Sequence, residues 1–128
     1  METAVERLCA VHFLVIGLSH VARPREWAEL FILLRAKGTV GSFANASLPL
    51  VLGSLIVSFH NVWTGLPLVL TLVGWMYVLK GLLYFLFPGL GLRTLDRVTL
   101  DRSREFVHAG ALLIGLGIFS VYVSLGIS

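Results

Sequence analysis

The chain has 128 residues, of which 57% are hydrophobic and 13% charged, and its formal net charge is +3. Soluble domains carry about 25% charged residues, so ten basic and seven acidic side chains cannot coat a water-soluble globule of this size. A soluble enzyme, a secreted disulfide scaffold and a disordered tail are excluded, and the composition is that of a polytopic membrane protein.

The charges fall in clusters. No Asp, Glu, Lys or Arg occurs in the 42 residues between Lys37 and Lys80, or in the 23 residues after Glu105. Crossing a bilayer takes about 20 apolar residues. The first span is read over 5–22. The leading METAVER is acidic on balance and no A-x-A site follows the apolar run, so this stretch is read as a span rather than a signal peptide. Arg23-Pro24-Arg25 ends it, because proline lacks an amide donor and disfavours helix at the residue before it. Residues 25–37 mix Trp27, Leu30, Phe31, Leu33 and Leu34 with Glu26, Glu29, Arg35 and Lys37. That pattern predicts a short amphipathic helix lying at the membrane surface.

Gly38, Gly41 and Ser42 read as a flexible break before a second span at 43–59. As one helix, the 42-residue uncharged run would extend about 63 Å, twice the roughly 30 Å hydrocarbon core. It must fold back on itself, and the only polar interruption is His60-Asn61-Val62-Trp63-Thr64-Gly65-Leu66-Pro67. There, Thr64 can cap the next helix and Pro67 suits its first turn. The third span covers 66–87 and ends at Pro88-Gly89. A polar linker over 89–105 follows, in which Asp101 or Ser103 can cap a short lead-in helix. The fourth span covers 106–127.

Four spans put both termini on one side. The loops after spans one and three hold Arg23, Arg25, Arg35 and Lys37, and Arg93, Arg97, Arg102 and Arg104, against Arg7 alone on the opposite face. The positive-inside rule places the basic loops, 23–37 and 89–105, in the cytoplasm and both termini outside. It also accounts for the net positive charge without nucleic acid.

Few residues carry a chemical signal. Lys80 is the only clear charge inside a span, about seven residues or 10 Å from the cytoplasmic end. Its bland reading is a snorkelling lysine, and its functional reading is an ion site. No Asp or Glu is read inside the spans to partner it, which counts against ion-coupled transport. Tyr77, Lys80, Gly81 and Tyr84 share one face of span three at three- and four-residue spacing, while Trp75 faces elsewhere. The histidines admit a haem reading, with His20 and His108 near the cytoplasmic ends of spans one and four and His12 and His60 in the outer half. Bis-histidine ligation needs facing pairs at matching depth. Interfacial histidines are common, and no cofactor or metal is expected. His60 and Asn61 can cap span two, and Trp63 suits the interfacial belt. Gly110, Gly117 and Ser124 recur every seven residues and give span four a small-residue face for close helix contact. Cys9, the single cysteine, has no disulfide partner in the chain, and no nucleophile motif, phosphate loop or carboxylate pair appears.

The stretch from His60 to Pro88 resembles a family of small uncharacterised bacterial four-helix inner-membrane proteins. The resemblance rests on His60-Asn61-Val62-Trp63, Gly74-Trp75, Lys80-Gly81 and Phe87-Pro88, with Arg23-Pro24 fitting loosely. It implies a four-helix fold in the bacterial inner membrane and carries no activity with it. The long Arg/Asp linker and the Thr64-Gly65 turn depart from the family pattern.

The expected architecture is all-α: one integral-membrane four-helix bundle with an interfacial amphipathic helix between spans one and two. The expected function is non-enzymatic, as an accessory or assembly subunit of a larger membrane complex or as a self-associating homo-oligomeric scaffold. The alternative is an oligomeric small-solute or ion transporter or channel with Lys80 and His60 near the path. A haem-binding electron carrier stands third.

Overall fold

Apolar runs punctuated by proline and glycine organise residues 2–126, which the computed structural model describes, into six α-helices, with no strand among the described residues. They are α1 (Glu2–Ala22), α2 (Pro24–Ala36), α3 (Thr39–Phe59), α4 (Leu68–Leu86), α5 (Pro88–Asp96) and α6 (Arg104–Ser124), with a 3-10 turn at Leu100–Arg102. Four of them, α1, α3, α4 and α6, are long and apolar enough to cross a membrane. At 19–21 residues each, their length matches the roughly 30 Å hydrocarbon core. Large apolar side chains such as Val11, Val15, Met76, Leu79, Leu112 and Ile118 stay exposed along them. A soluble monomer seldom leaves so much apolar surface uncovered, and the fold fits a multi-pass membrane protein.

The long helices pack as two antiparallel pairs. Gly17 of α1 meets Gly110 of α6, and Leu14 meets Gly117, so the two helices run past each other in opposite directions. A Cβ built on Gly17 would lie 2.8 Å from the Gly110 carbonyl oxygen, so the backbones touch where they cross. The α3–α4 pair repeats the device. A Cβ on Gly53 would lie 2.8 Å from the Gly74 carbonyl oxygen, and Gly81 receives Leu50. Lipid tails are as apolar as leucine, so association between membrane helices depends on such close van der Waals contact. The small-residue face of the fourth span thus finds its partner within the chain: Gly110 and Gly117 seat on α1, while Gly115 faces open space.

The two pairs meet at one end. Val5, Cys9 and Phe13 of α1 pack there against Leu52 and Ile56 of α3 and Leu70 of α4. Leu116 and Phe119 of α6 close the cluster from the other side. At the opposite end α2 braces the bundle. Trp27 Nε1 donates to Ser19 Oγ at 2.8 Å, Phe31 stacks on Phe106 at 5.4 Å between ring centres, and Arg35 donates to the Val98 carbonyl at 3.3 Å.

Three local expectations need correction. Gly41 and Ser42 do not form a break, because α3 begins at Thr39. Gly38, at φ 65°, makes the turn. Gly41 then lets the Leu34 carbonyl of α2 approach, and Ser42 Oγ donates to the Pro88 carbonyl at 3.0 Å. The 89–105 linker is largely structured: Pro88 opens α5, and Leu95 is buried. Its polar composition conceals a two-turn amphipathic helix. The cap of α4 is Pro67, not Thr64, and Ser103 precedes α6 without a side-chain capping bond. Ile127, the last residue of the fourth expected span, lies outside the described residues.

Candidate functional site

Two polar centres lie on the seam between the helix pairs. The first is buried at the closed end. His60 terminates α3, and its backbone N–H still donates to the Ile56 carbonyl at 2.7 Å. Its side chain does not cap the helix, as the sequence reading expects. It turns inward, where Nε2 donates to Glu6 Oε2 at 2.8 Å and Nδ1 lies 3.3 Å from Thr71 Oγ1. The ring is fully buried, and Glu6 is 6% exposed. Thr71 accepts from the Val62 N–H at 3.1 Å, and its hydroxyl lies 2.8 Å from the Val62 carbonyl and 3.1 Å from that of His60. Buried polar groups are costly unless paired, and here Glu6, His60 and Thr71 pair one another while pinning the 60–67 turn to α1 and α4.

Glu6 overturns the expectation that the spans hold no carboxylate. The signal was available. Val5, Glu6, Cys9, Ala10, Phe13, Gly17 and His20 form one buried stripe of α1, and their three- and four-residue spacing puts Glu6 on the same face as the apolar core. Thr71 carried no comparable signal, since a lone threonine in an apolar helix commonly bonds to its own helix backbone.

The second centre is a cleft of about 250 Å³ at the other half of the bundle, roofed by α2. Its walls are Ile16, Leu30, Phe31, Leu34, Leu48 and Leu52, with His12, His20, Trp27, Asn45, Tyr77 and Lys80 as polar groups. Pro49 lines it too. Proline has no N–H, so Pro49 cannot donate the helical hydrogen bond to the Asn45 carbonyl. Leu52, 5% exposed, lines the cleft and also belongs to the apolar cluster with Phe13 and Ile56. The ammonium of Lys80 leans over the Tyr84 ring, 5.8 Å from its centre. Tyr84 OH in turn bonds Thr94 Oγ1 of α5 at 2.9 Å. The ammonium therefore points along α4 toward the end where α2 and α5 lie. Among the described residues no carboxylate lies within 4.0 Å of it.

Of the remaining candidates, His20 lines the cleft and the others disperse. Asn61 is exposed, and Trp63 and Trp75 are 54% and 45% exposed, away from both centres. The histidines do not form the matched pairs that haem ligation needs. His20 Nδ1 donates to the Ile16 carbonyl at 2.7 Å, and its ring stacks on Trp27 at 4.1 Å. His108 is exposed. His12 lies six residues, or about 9 Å along α1, from the glutamate that holds His60, so those two rings sit at different depths. No family model, no curated protein and no solved structure matches the chain.

Proposed function

We propose that the chain is a non-enzymatic, multi-pass protein of the bacterial inner membrane, serving as an accessory subunit whose cleft holds an apolar guest inside the bilayer. The observation that carries this reading is the apolar lining of the cleft. Ile16, Leu30, Leu34, Leu48 and Leu52 form its walls, and among the described residues no Asp or Glu lines it, a composition that suits an apolar guest rather than a hydrated ion. The engagement of His60 by Glu6 and Thr71, and of His20 by Ile16 and Trp27, supports a structural rather than a catalytic use of the polar groups. The excess of basic residues around α2, α5 and the 3-10 turn supports a cytoplasmic setting for that end of the bundle, with both termini outside.

The test is gentle detergent extraction of the wild type and of Ala44→Trp, which adds bulk on the cleft wall. The wild type brings down a defined partner set, and the variant keeps its fold by circular dichroism and loses that set. An unchanged partner set in the variant refutes the reading.

Glu6 favours a second reading as an oligomeric ion transporter, because it supplies the buried carboxylate that such proteins use. Flux in proteoliposomes that disappears in Lys80→Met and Glu6→Gln would select it.

A further inference from the structure

We infer that the guest of the cleft is one acyl chain of an anionic phospholipid from the cytoplasmic leaflet, with its phosphate paired to Lys80. This rests on the accessory-subunit reading for the role of the cleft and for its orientation.

Size decides first. A cleft of about 250 Å³ falls below the roughly 300–1,000 Å³ of drug-sized pockets. A helix with its side chains is about 10–12 Å across and cannot enter so small a space. A flexible hydrocarbon segment can, and Ile16, Leu30, Leu48 and Leu52 offer it an apolar wall. The bilayer supplies such chains without diffusion from water.

Charge decides next. Among the described residues, Lys80 is the only Lys or Arg lining the cleft, and no Asp or Glu lines it. The cations on the roof are differently placed. Arg23 and Arg25 lie 3.6 and 3.7 Å from Glu26 and Glu29, so α2 compensates much of its own charge. Lys80 lies over the face of Tyr84, and among the described residues it has no carboxylate within 4.0 Å. Six residues separate it from Leu86 at the end of α4, about 9 Å of helix, and its stem can carry the ammonium toward the headgroups. A phosphate beside Lys80 then meets an uncompensated positive charge while its chain enters the apolar cleft that Lys80 lines. Lysine binds phosphate as a point charge. Basic pockets between membrane helices on the cytoplasmic side take acidic headgroups by the same physics.

The experiment uses the full-length protein in vesicles of equal phosphatidylglycerol and phosphatidylcholine. It is extracted into mild detergent, and the retained lipid is identified by mass spectrometry. The wild type retains phosphatidylglycerol over phosphatidylcholine by about fivefold, the factor expected for one lysine near a membrane surface. Lys80→Arg keeps that preference, and Lys80→Met retains both lipids equally. Ala44→Trp retains neither, and Leu48→Trp, which fills the same space, stands in if that variant misfolds. Equal retention of the two lipids by the wild type, or an undiminished preference in Lys80→Met, overturns the lipid assignment. Neither result touches partner capture, which is read separately from the co-purified proteins. Loss of partner capture alone would leave the lipid site standing.

Discussion

Replacing Gly17 with alanine tests the contact on which the α1–α6 pair depends. The new Cβ would lie 2.8 Å from both the Gly110 carbonyl oxygen and the Ile114 backbone nitrogen. Both obstacles are backbone, so no rotamer change relieves them. Ordinary contact begins at 3.4 Å, and the helices must therefore separate by about 0.6 Å at the crossing. A gap of 0.5–1 Å forfeits about a quarter to a half of the dispersion energy across the contact, and overpacking of this kind costs about 1–3 kcal/mol. Alanine also gains up to about 1 kcal/mol over glycine in helix propensity, which would mask part of the loss. Gly115→Ala corrects for this, because a Cβ there meets nothing within 4 Å and carries only the propensity gain. The stability difference between the two variants isolates the contact and should be about 1–3 kcal/mol. It can be measured by SDS titration of the purified protein in mild detergent, followed by circular dichroism. Two variants agreeing within about 0.5 kcal/mol, below the overpacking range, would show that the helices do not touch at Gly17.

The same titration addresses the buried centre. Glu6→Ala leaves His60 Nε2 without its 2.8 Å acceptor and should destabilise by about 1–3 kcal/mol. Glu6→Gln retains an acceptor oxygen and should lose less, so equal losses would argue against the hydrogen bond. Thr71→Val keeps the shape but strands the Val62 N–H, again at about 1–3 kcal/mol, and should speed deuterium exchange in the 60–67 turn. Unchanged exchange there would count against Thr71 as the pin. For topology, single cysteines at Thr64 and Thr99, both exposed, can be introduced in a Cys9→Ala background. An impermeant thiol reagent applied to intact cells should label the first and spare the second, and the reverse pattern would invert the orientation.

Much of the helical framework is legible in the residues. Pro24, the His60–Pro67 turn and Pro88 all mark real helix boundaries, because proline's missing donor acts locally, although Pro49 is carried inside α3. The amphipathic pattern of Trp27, Leu30, Phe31 and Leu34 likewise identifies α2. The misreadings come where local composition and tertiary contact disagree. Gly41 and Ser42 look like a break, yet they lie within a helix because the Leu34 carbonyl and Pro88 pack against them. Arginine and aspartate made 89–105 look like a loop, although burial of Leu95 holds α5 in place. Glu6 reads only as part of the acidic METAVER lead until His60, 54 positions later, arrives beside it.

The number of apolar helices, and the clustering of basic residues in the segments between them, follow from sequence alone. They are sums of transfer energies, each residue contributing nearly independently of its neighbours in space. The pairing of α1 with α6 and of α3 with α4, the meeting of Glu6 with His60 and Thr71, and the cleft beneath α2 were decided only by tertiary structure. In a bilayer every apolar face is equally content with lipid, so hydropathy does not choose between partners. Shape does, through glycines that let backbones touch, and so does the high cost of leaving a buried polar group unpaired. Both are relations between residues far apart in the chain.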